Sequence, residues 1–238
     1  MMKKKMAILG MVVLVLAIGL WLVSCDNNTD NIENRFITGA AFEVPEDITL
    51  VRCGETPIGN LVADSLSWYA REINRPVDFS ISNSGSIRAG LPKGIITEGD
   101  TQKVLSFNNN MVILTLSGSD VISLFNHVAT MNQKYGGFAN CSKEVKYTLT
   151  YDSNGGNGSI SNLTINNSPI NSTRTYNIAT NDYLSGGGDG YTVFSSGTNL
   201  YSTNQLAHKI LYEYGKSLND NIMPTTDGRL TIIGGLTM

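Results

Sequence analysis

Apolar residues recur every three or four positions after Thr56-Pro57, and this spacing is typical of a helix that buries one face. Threonine is a favourable helix cap and proline fits the first helical position, so the predicted helix begins here and continues to about Asn74. Three further helices are predicted. Thr97-Glu98-Gly99-Asp100 resembles a capping box and begins a short one. Ser117 or Ser119 caps a second helix that reaches about Tyr135, and the third covers 205–218.

Short apolar or alternating runs predict strands between these helices. Two of them flank Asn154-Gly155-Gly156-Asn157, which is typical of a β-hairpin turn. The predicted strands cover 77–82, 111–116, 145–151, 159–165, 176–180 and 230–233. Strands and helices are mixed without strict alternation, so the sequence predicts an α+β domain of packed layers.

The N-terminal segment has the pattern of a secretory signal. Three lysines precede an apolar run that ends in Leu22-Val23-Ser24-Cys25, and a polar stretch follows. A retained transmembrane anchor is the alternative interpretation. The ending resembles a bacterial lipobox, in which the cysteine is acylated. We therefore predict a lipoprotein signal peptide over 1–24, lipidation of Cys25, a polar tether over 25–46 and one domain over 47–238, held at a membrane of the cell envelope, periplasmic or at the cell surface.

The composition narrows the classes of function. The chain has 17 basic and 20 acidic residues and a net charge of −3, so it does not resemble a general nucleic-acid-binding protein. Its two histidines, His127 and His208, fall on predicted helices and are too few for a two-metal hydrolytic site. Cys53 and Cys141 either pair or are small buried residues, and no CxxC motif is present.

A set of loop and strand-end residues has the chemistry of a nucleotide site. Aromatic rings stack on bases, acids accept hydrogen bonds from ribose hydroxyls, and arginines bind phosphate in a bidentate manner. The alternative is that the arginines are surface charges, the phenylalanine is core and the glycine run is only a turn. The candidate substrate-binding residues are Arg52, Asn83, Arg88, Phe107, Asn109, Tyr183, Gly187, Gly188 and Asp189.

Four ordered blocks make the chain resemble the C-terminal domain of the 5'-nucleotidase family. The blocks are ETPIGNLVADSL (55–66), ISNSGSIRAGLPKGIITEGD (81–100), VLSFNNNMVILTLSGSDV (104–121) and YNIATNDYLSGGGDGYTVF (176–194). The resemblance implies a four-layer α/β/β/α arrangement. It also implies that two aromatics, Phe107 and Tyr183, enclose the base and that Asp189 accepts from the ribose.

The same resemblance assigns the remaining residues. Asn83 and Arg88 correspond to the family's Asn-x-Gly-x-x-Arg turn, and Arg52 to a further substrate arginine. The glycine run lets Tyr183 and Asp189 face one ligand. The chain departs from the family where Ser84-Gly85-Ser86 replaces three glycines and where a tyrosine stands at 183, a position at which phenylalanine is common.

The largest departure concerns catalysis. Full-length members carry an N-terminal metallophosphoesterase domain with two metals, whereas about 20 tether residues precede the matched region here. We therefore expect no catalytic residue, metal or cofactor in this chain, and divalent Zn, Mn or Mg only in a partner catalytic domain. The leading hypothesis is the substrate-recognition part of a nucleotide-catabolic hydrolase whose metallophosphoesterase is a separate polypeptide. The alternatives are a membrane-anchored nucleoside- or nucleotide-binding lipoprotein and a remnant that binds nothing.

Overall fold

The computed structural model describes residues 35–38, 48–218, 222 and 225–236. The predicted signal peptide over 1–24 and the predicted lipidation site at Cys25 lie outside the described residues. Within the predicted tether, Arg35–Thr38 forms strand β1, which pairs antiparallel with β3 (Gly94–Thr97). In the part of the chain that the structure describes, no helix is long and apolar enough to span a membrane.

A five-stranded mixed sheet forms the centre of the fold. Its strands are β2 (Phe79–Asn83), β4 (Asn110–Ser117), β5 (Ala139–Cys141), β9 (Thr175–Asn181) and β10 (Thr198–Leu206). The order across the sheet is β10-β4-β9-β2-β5, with β2 parallel to β9 and the other neighbours antiparallel. Parallel pairing of β2 with β9 brings the carboxyl ends of these two strands to the same edge of the sheet.

Strand β4 shows how the two faces of the sheet differ. Its alternate residues Met111 and Ile113 pack with α1 (Pro57–Glu72) and α5 (Ala207–Ser217). Val112 and Leu114 point to the opposite face, where they join the core of α3 (Gly118–Thr130). Because both faces are buried, the strand is nearly continuously apolar, as its sequence indicated.

A second mixed sheet shares the core of α3. It contains β6 (Val145–Thr150), β7 (Ser159–Ile165), β8 (Ser168–Pro169) and β11 (Leu230–Ile233), in the order β11-β6-β7-β8. The predicted hairpin is confirmed, because β6 and β7 pair antiparallel around the Asn-Gly-rich turn. The two sheets and the helices, which also include α2 (Glu98–Val104) and α4 (Asp182–Ser185), confirm the α+β class.

Helix capping explains where the predicted helices begin. The Thr56 side chain accepts from the Gly59 N–H at 3.2 Å, and Thr97 and Asp100 form both bonds of a capping box. Ser117 is the cap of α3, but the predicted end near Tyr135 is wrong, because α3 ends at Thr130. Beyond it the chain turns with Lys134 in the left-handed region at φ 71° and enters Gly136-Gly137.

The sequence pattern does not predict β1, β3, β5, β8 or β10. Strand β10 has the sequence TNLYSTNQL and is mostly exposed, so it shows neither an apolar run nor a clear alternation. It also includes the first two residues of the predicted helix over 205–218, so the observed helix begins only at Ala207. Cys53 and Cys141 are both buried thiols, and burial raises the pKa of Cys141 to about 12. This agrees with the interpretation that they are small buried residues.

Candidate substrate-binding site

A cavity of about 300 Å³ opens at the sheet edge where β2 and β9 end. Asn83 is the last residue of β2, and Asn181 is the last residue of β9. Strand β4 runs antiparallel to β9 with Met111 opposite Asn181, so the residues that precede β4 reach the same edge. Loops at the carboxyl ends of neighbouring parallel strands are a common place for ligand sites.

The cavity brings together five of the predicted site residues. Its lining consists of Asn83, Gly85, Ser86, Phe107, Asn109, Gly136, Tyr183 and Asp189. The predicted members come from three segments that are far apart in sequence, namely the end of β2, the loop before β4 and the loop after β9. Their convergence agrees with the placement that the family resemblance implied.

Backbone geometry accounts for the glycine run after β9. Asn181 caps α4, and its Oδ1 accepts from the Leu184 N–H at 2.8 Å. The chain then takes positive φ values at Gly187 (90°), Asp189 (52°) and Gly190 (80°). Positive φ is costly for residues with a Cβ, so glycine is favoured in such a turn.

Gly188 is needed for a different reason. A Cβ at this position would lie 2.5 Å from the ring of Tyr183, so only glycine lets the aromatic ring fold down over the turn. The six-residue separation of Tyr183 and Asp189 then closes into a direct contact. The Tyr183 hydroxyl donates to Asp189 Oδ1 at 3.0 Å, and the Asp189 N–H donates back to the hydroxyl oxygen at 3.2 Å.

A hydrogen bond from the end of β2 holds the other carboxylate oxygen of Asp189, and the end of β9 supports its donor. Asn83 Nδ2 donates to Asp189 Oδ2 at 2.9 Å, and Asn83 Oδ1 accepts from Asn181 Nδ2 at 3.2 Å. The carboxylate therefore faces neutral amide and hydroxyl donors. A carboxylate has about four acceptor positions, so acceptor capacity remains for a ligand hydroxyl.

Both candidate stacking residues are exposed to the cavity and are not part of the core. Phe107 is 53% exposed and Tyr183 is 46% exposed. The alternative that Phe107 is an ordinary core residue is therefore wrong. Partial burial, followed by the hydrogen bond to Asp189, raises the pKa of the Tyr183 hydroxyl, so this group stays protonated at neutral pH and remains a donor.

The two arginines are not among the residues that line the cavity. Arg88 is exposed, and its backbone N–H donates to Val104 O at 2.8 Å. Arg52 is partly buried, and its carbonyl accepts from the Lys134 N–H at 3.0 Å, beside the loop that carries Gly136. Their predicted contacts with phosphate stay predictions, as do the substrate-binding roles of the lining residues.

Three residues that line the cavity, Gly85, Ser86 and Gly136, are not among the predicted site residues. Gly85 and Gly136 approach each other closely, with the Gly85 N–H donating to Gly136 O at 2.7 Å. A Cβ at Gly85 would lie 3.0 Å from that carbonyl oxygen. The Tyr135-Gly136-Gly137 sequence carries the same signal as the run after Tyr183, an aromatic residue next to consecutive glycines, and this signal could have drawn attention to the loop.

The described residues do not fit a metal centre. Within the ranges the structure describes, no three His, Cys, Asp or Glu side chains lie close enough together to hold a metal ion. His208 is buried in α5, where its Nε2 lies 3.8 Å from Glu98 Oε1, and burial lowers the pKa of its ring. His127 belongs to α3 and contacts the backbone of Asp189.

Comparison with known proteins identifies the family. The family described as 5'-nucleotidase, C-terminal domain, matches residues 38–196, and the chain belongs to this family. It is 30% identical over 184 residues to the trifunctional nucleotide phosphoesterase protein YfkN of Bacillus subtilis, covering 76% of this chain and 12% of that protein. It is 28% identical over 168 residues to the 5'-nucleotidase of Vibrio vulnificus, covering 71% and 28%.

A solved structure supports the same assignment. The 5'-nucleotidase precursor from Thermus thermophilus superposes with a TM-score of 0.72 and 25% identity, over 83% of this chain and 39% of that one. The chain thus spans well under half the length of these relatives. The fold and family expected from the four sequence blocks are confirmed.

Proposed function

We propose that this chain is the substrate-recognition domain of a 5'-nucleotidase-type hydrolase and that it binds a nucleoside or nucleotide in the cavity beside Asp189. The observation that carries the proposal is the convergence of two exposed aromatic rings and one carboxylate on a single cavity. The names of the relatives, a nucleotide phosphoesterase and a 5'-nucleotidase, support the class of ligand.

Each side chain has a distinct task in this proposal. The base stacks between Phe107 and Tyr183, a contact that tolerates any base because every base has a π-face. Asp189 accepts from the ribose hydroxyls, since Tyr183 and Asn83 fix its carboxylate and leave acceptor capacity. Asn109 lines the cavity near the base, and Arg52 and Arg88 are the proposed cations for the phosphate.

Catalysis is proposed to come from a separate metallophosphoesterase polypeptide with its own divalent metals. The matched relatives are several times longer than this region, which supports a division of labour between a recognition part and a chemical part. The part of this chain that the structure describes does not fit a dimetal site. The same observation favours a second candidate, a nucleoside- or nucleotide-binding protein without catalysis.

Calorimetric titration of the purified full chain tests the binding proposal. The parent protein should bind adenosine more tightly than adenine, because adenine lacks the ribose. Asp189→Asn keeps the side-chain volume but accepts hydrogen bonds from hydroxyl groups less well. It should therefore lower the affinity for adenosine and change the affinity for adenine little. Equal weakening of both ligands, or no change in either, would remove Asp189 from the ribose contact.

An AMP hydrolysis assay with Mn²⁺ or Zn²⁺ separates the two candidates. The chain alone should not hydrolyse AMP, and addition of the catalytic partner should produce turnover that depends on Phe107 and Tyr183. Nucleotide binding with no turnover alongside any metallophosphoesterase of the same cell envelope would favour the binding protein. Turnover by the chain alone that survives replacement of His127 and His208 would contradict both the division of labour and the site assignment.

The cellular location is part of the same proposal. The lipobox-like sequence before Cys25 supports an acylated protein held at a membrane surface of the cell envelope. Cys25→Ser should abolish acylation and leave soluble or uncleaved protein in fractionated cells. Processing and anchoring of Cys25→Ser that match the parent would show that another element holds the protein at the membrane.

A further inference from the structure

Helix α3 directs a histidine at the backbone of Asp189. His127 Nε2 lies 3.2 Å from the Asp189 carbonyl oxygen, although the two residues are 62 positions apart. A carbonyl oxygen can only accept a hydrogen bond, so the contact requires His127 to carry its hydrogen on Nε2. The imidazole is therefore a donor to the residue that bears the candidate ribose-binding carboxylate.

Asp189 needs support because its backbone is strained. It has φ 52° and ψ 23°, which is the left-handed region that residues with a Cβ rarely adopt. The Tyr183 hydroxyl bonds to the N–H and to the carboxylate of Asp189, which fixes the N-terminal side of the residue. The His127 contact fixes its carbonyl, so the peptide group that follows the strained residue cannot rotate freely.

The surroundings of His127 indicate that its ring has a defined position. It packs edge-on against Tyr191, with ring centroids 4.6 Å apart and an interplanar angle of 80°. Tyr191 is fully buried, and its hydroxyl donates to Gly137 O at 2.8 Å. A Cβ on Gly190 would lie 3.0 Å from His127 Cε1, so the last glycine of the run leaves space for the imidazole.

We propose that His127 is a positioning residue for the ribose contact, acting through the backbone of Asp189 and not by touching the ligand. The inference rests on the proposed nucleoside binding. Loss of the His127 donor frees the Asp189 carbonyl, lets the strained residue relax and moves its carboxylate away from the ribose hydroxyls. Stacking of the base between Phe107 and Tyr183 does not depend on this contact.

Four variants of the full chain test the proposal by calorimetry with adenosine and adenine. His127→Leu removes the donor and should lower the affinity for adenosine about two- to tenfold, which is the effect of one hydrogen bond. The affinity for adenine should change little. His127→Gln places an amide N–H near the position of Nε2 and should restore most of the affinity. His127→Asn keeps polarity but falls short of the carbonyl, so it should resemble His127→Leu. Asn126→Leu, an exposed neighbour on α3, is the control and should bind like the parent.

The outcomes separate this inference from the function on which it rests. If the parent binds no adenosine, the proposed function fails and the role of His127 falls with it. If Asp189→Asn weakens adenosine but His127→Leu does not, only the role of His127 is overturned. Equal losses for adenosine and adenine in His127→Leu would mean that the ring only packs against Tyr191. Combining His127→Leu with Asp189→Asn should add little further loss, because both act on one contact.

Discussion

Two polar clusters of this molecule differ in how much of their hydrogen-bonding capacity is already used. Arg229 is 5% exposed, and five hydrogen bonds join its guanidinium to the side chains of Asp64 and Asp227 and to the carbonyl of Cys141. Arginine has five N–H donors, so this cation has no capacity left for a ligand. Asp189 instead lies at the wall of an open cavity, with neutral donors and spare acceptor positions.

The difference indicates what each cluster does. The Arg229 cluster joins the segment before β11 to α1 and β5, and its buried guanidinium is paired with the carboxylates of Asp64 and Asp227. Beside Asp189, a left-handed backbone and two half-exposed rings lie at the wall of a cavity, a combination that is typical of functional sites. Saturated buried charge thus points to stability, and a strained carboxylate with free acceptor capacity points to binding.

The largest effect is expected when Arg229 is replaced. Arg229→Met leaves the carboxylate of Asp64 without its partner, and breaking a buried ion pair costs about 3–5 kcal/mol of unfolding free energy. Urea denaturation measures the loss, and the folded variant should bind adenosine like the parent. The control is Lys216→Met, which removes an exposed pair with Glu213 and should cost at most about 1 kcal/mol. A comparable loss in both variants would remove the distinction drawn for the Arg229 cluster.

The next effect separates the stacking residues from the core. Phe107→Ala or Tyr183→Ala should weaken adenosine binding by about 1–3 kcal/mol, which is a factor of about 5 to 150, with little change in thermal melting because both rings are half-exposed. Phe125→Ala is the matched control, since that ring is 1% exposed and its loss should cost about 3–5 kcal/mol of stability. If Phe107→Ala melts like Phe125→Ala and retains binding, Phe107 belongs to the fold and not to the site.

These two regions also show what a sequence can and cannot predict. The contact between Tyr183 and Asp189 spans only six residues. The local pattern of aromatic, glycines and acid marked both residues as candidates, and the family resemblance placed them at one ligand. The contacts of Arg229 with Asp64 span 165 residues, and those of His127 with Asp189 span 62. No local pattern encodes such pairs, because they depend on how the sheets and helices pack.

The limits of the secondary-structure predictions have a similar physical origin. Buried strands such as β4 are apolar on both faces and were predicted, whereas the exposed edge strand β10 gains its hydrogen bonds from β4 and needs no apolar pattern. The core or site role of Phe107 was also undecided, since a phenylalanine has the same identity in both places. Only its exposure in the folded chain separates the two roles.

A smaller effect is expected from the hydroxyl of Tyr183 alone. Tyr183→Phe keeps the stacking ring but removes both hydrogen bonds to Asp189. The binding free energy of adenosine should therefore weaken by about 0.5–1.5 kcal/mol, while that of adenine changes little. Calorimetry with the two ligands measures the effect, and Tyr183→Ala, which also loses the ring, is the reference. An affinity gain for adenosine would mean that the hydroxyl competes with the ribose and does not organise the carboxylate.

The smallest effect concerns the pH dependence of the Arg229 cluster. The hydrogen bond from Arg229 holds the pKa of Asp227 below its usual value, so the ionised form stabilises the folded chain above the unfolded pKa of about 4. That contribution is lost as the pH falls through the lower, folded pKa, because the unfolded chain then binds more protons.

Asp227 is 50% exposed, so the contribution is at most about 1 kcal/mol. Asp227→Asn should therefore be slightly less stable than the parent at pH 7 in urea denaturation, and the difference should shrink as the pH falls below about 4. Asp64 cannot produce the same trend, since burial raises its pKa despite Arg229. A difference that stays constant with pH would mean that Asp227 acts through its hydrogen-bond geometry alone and that its charge does not contribute to the cluster.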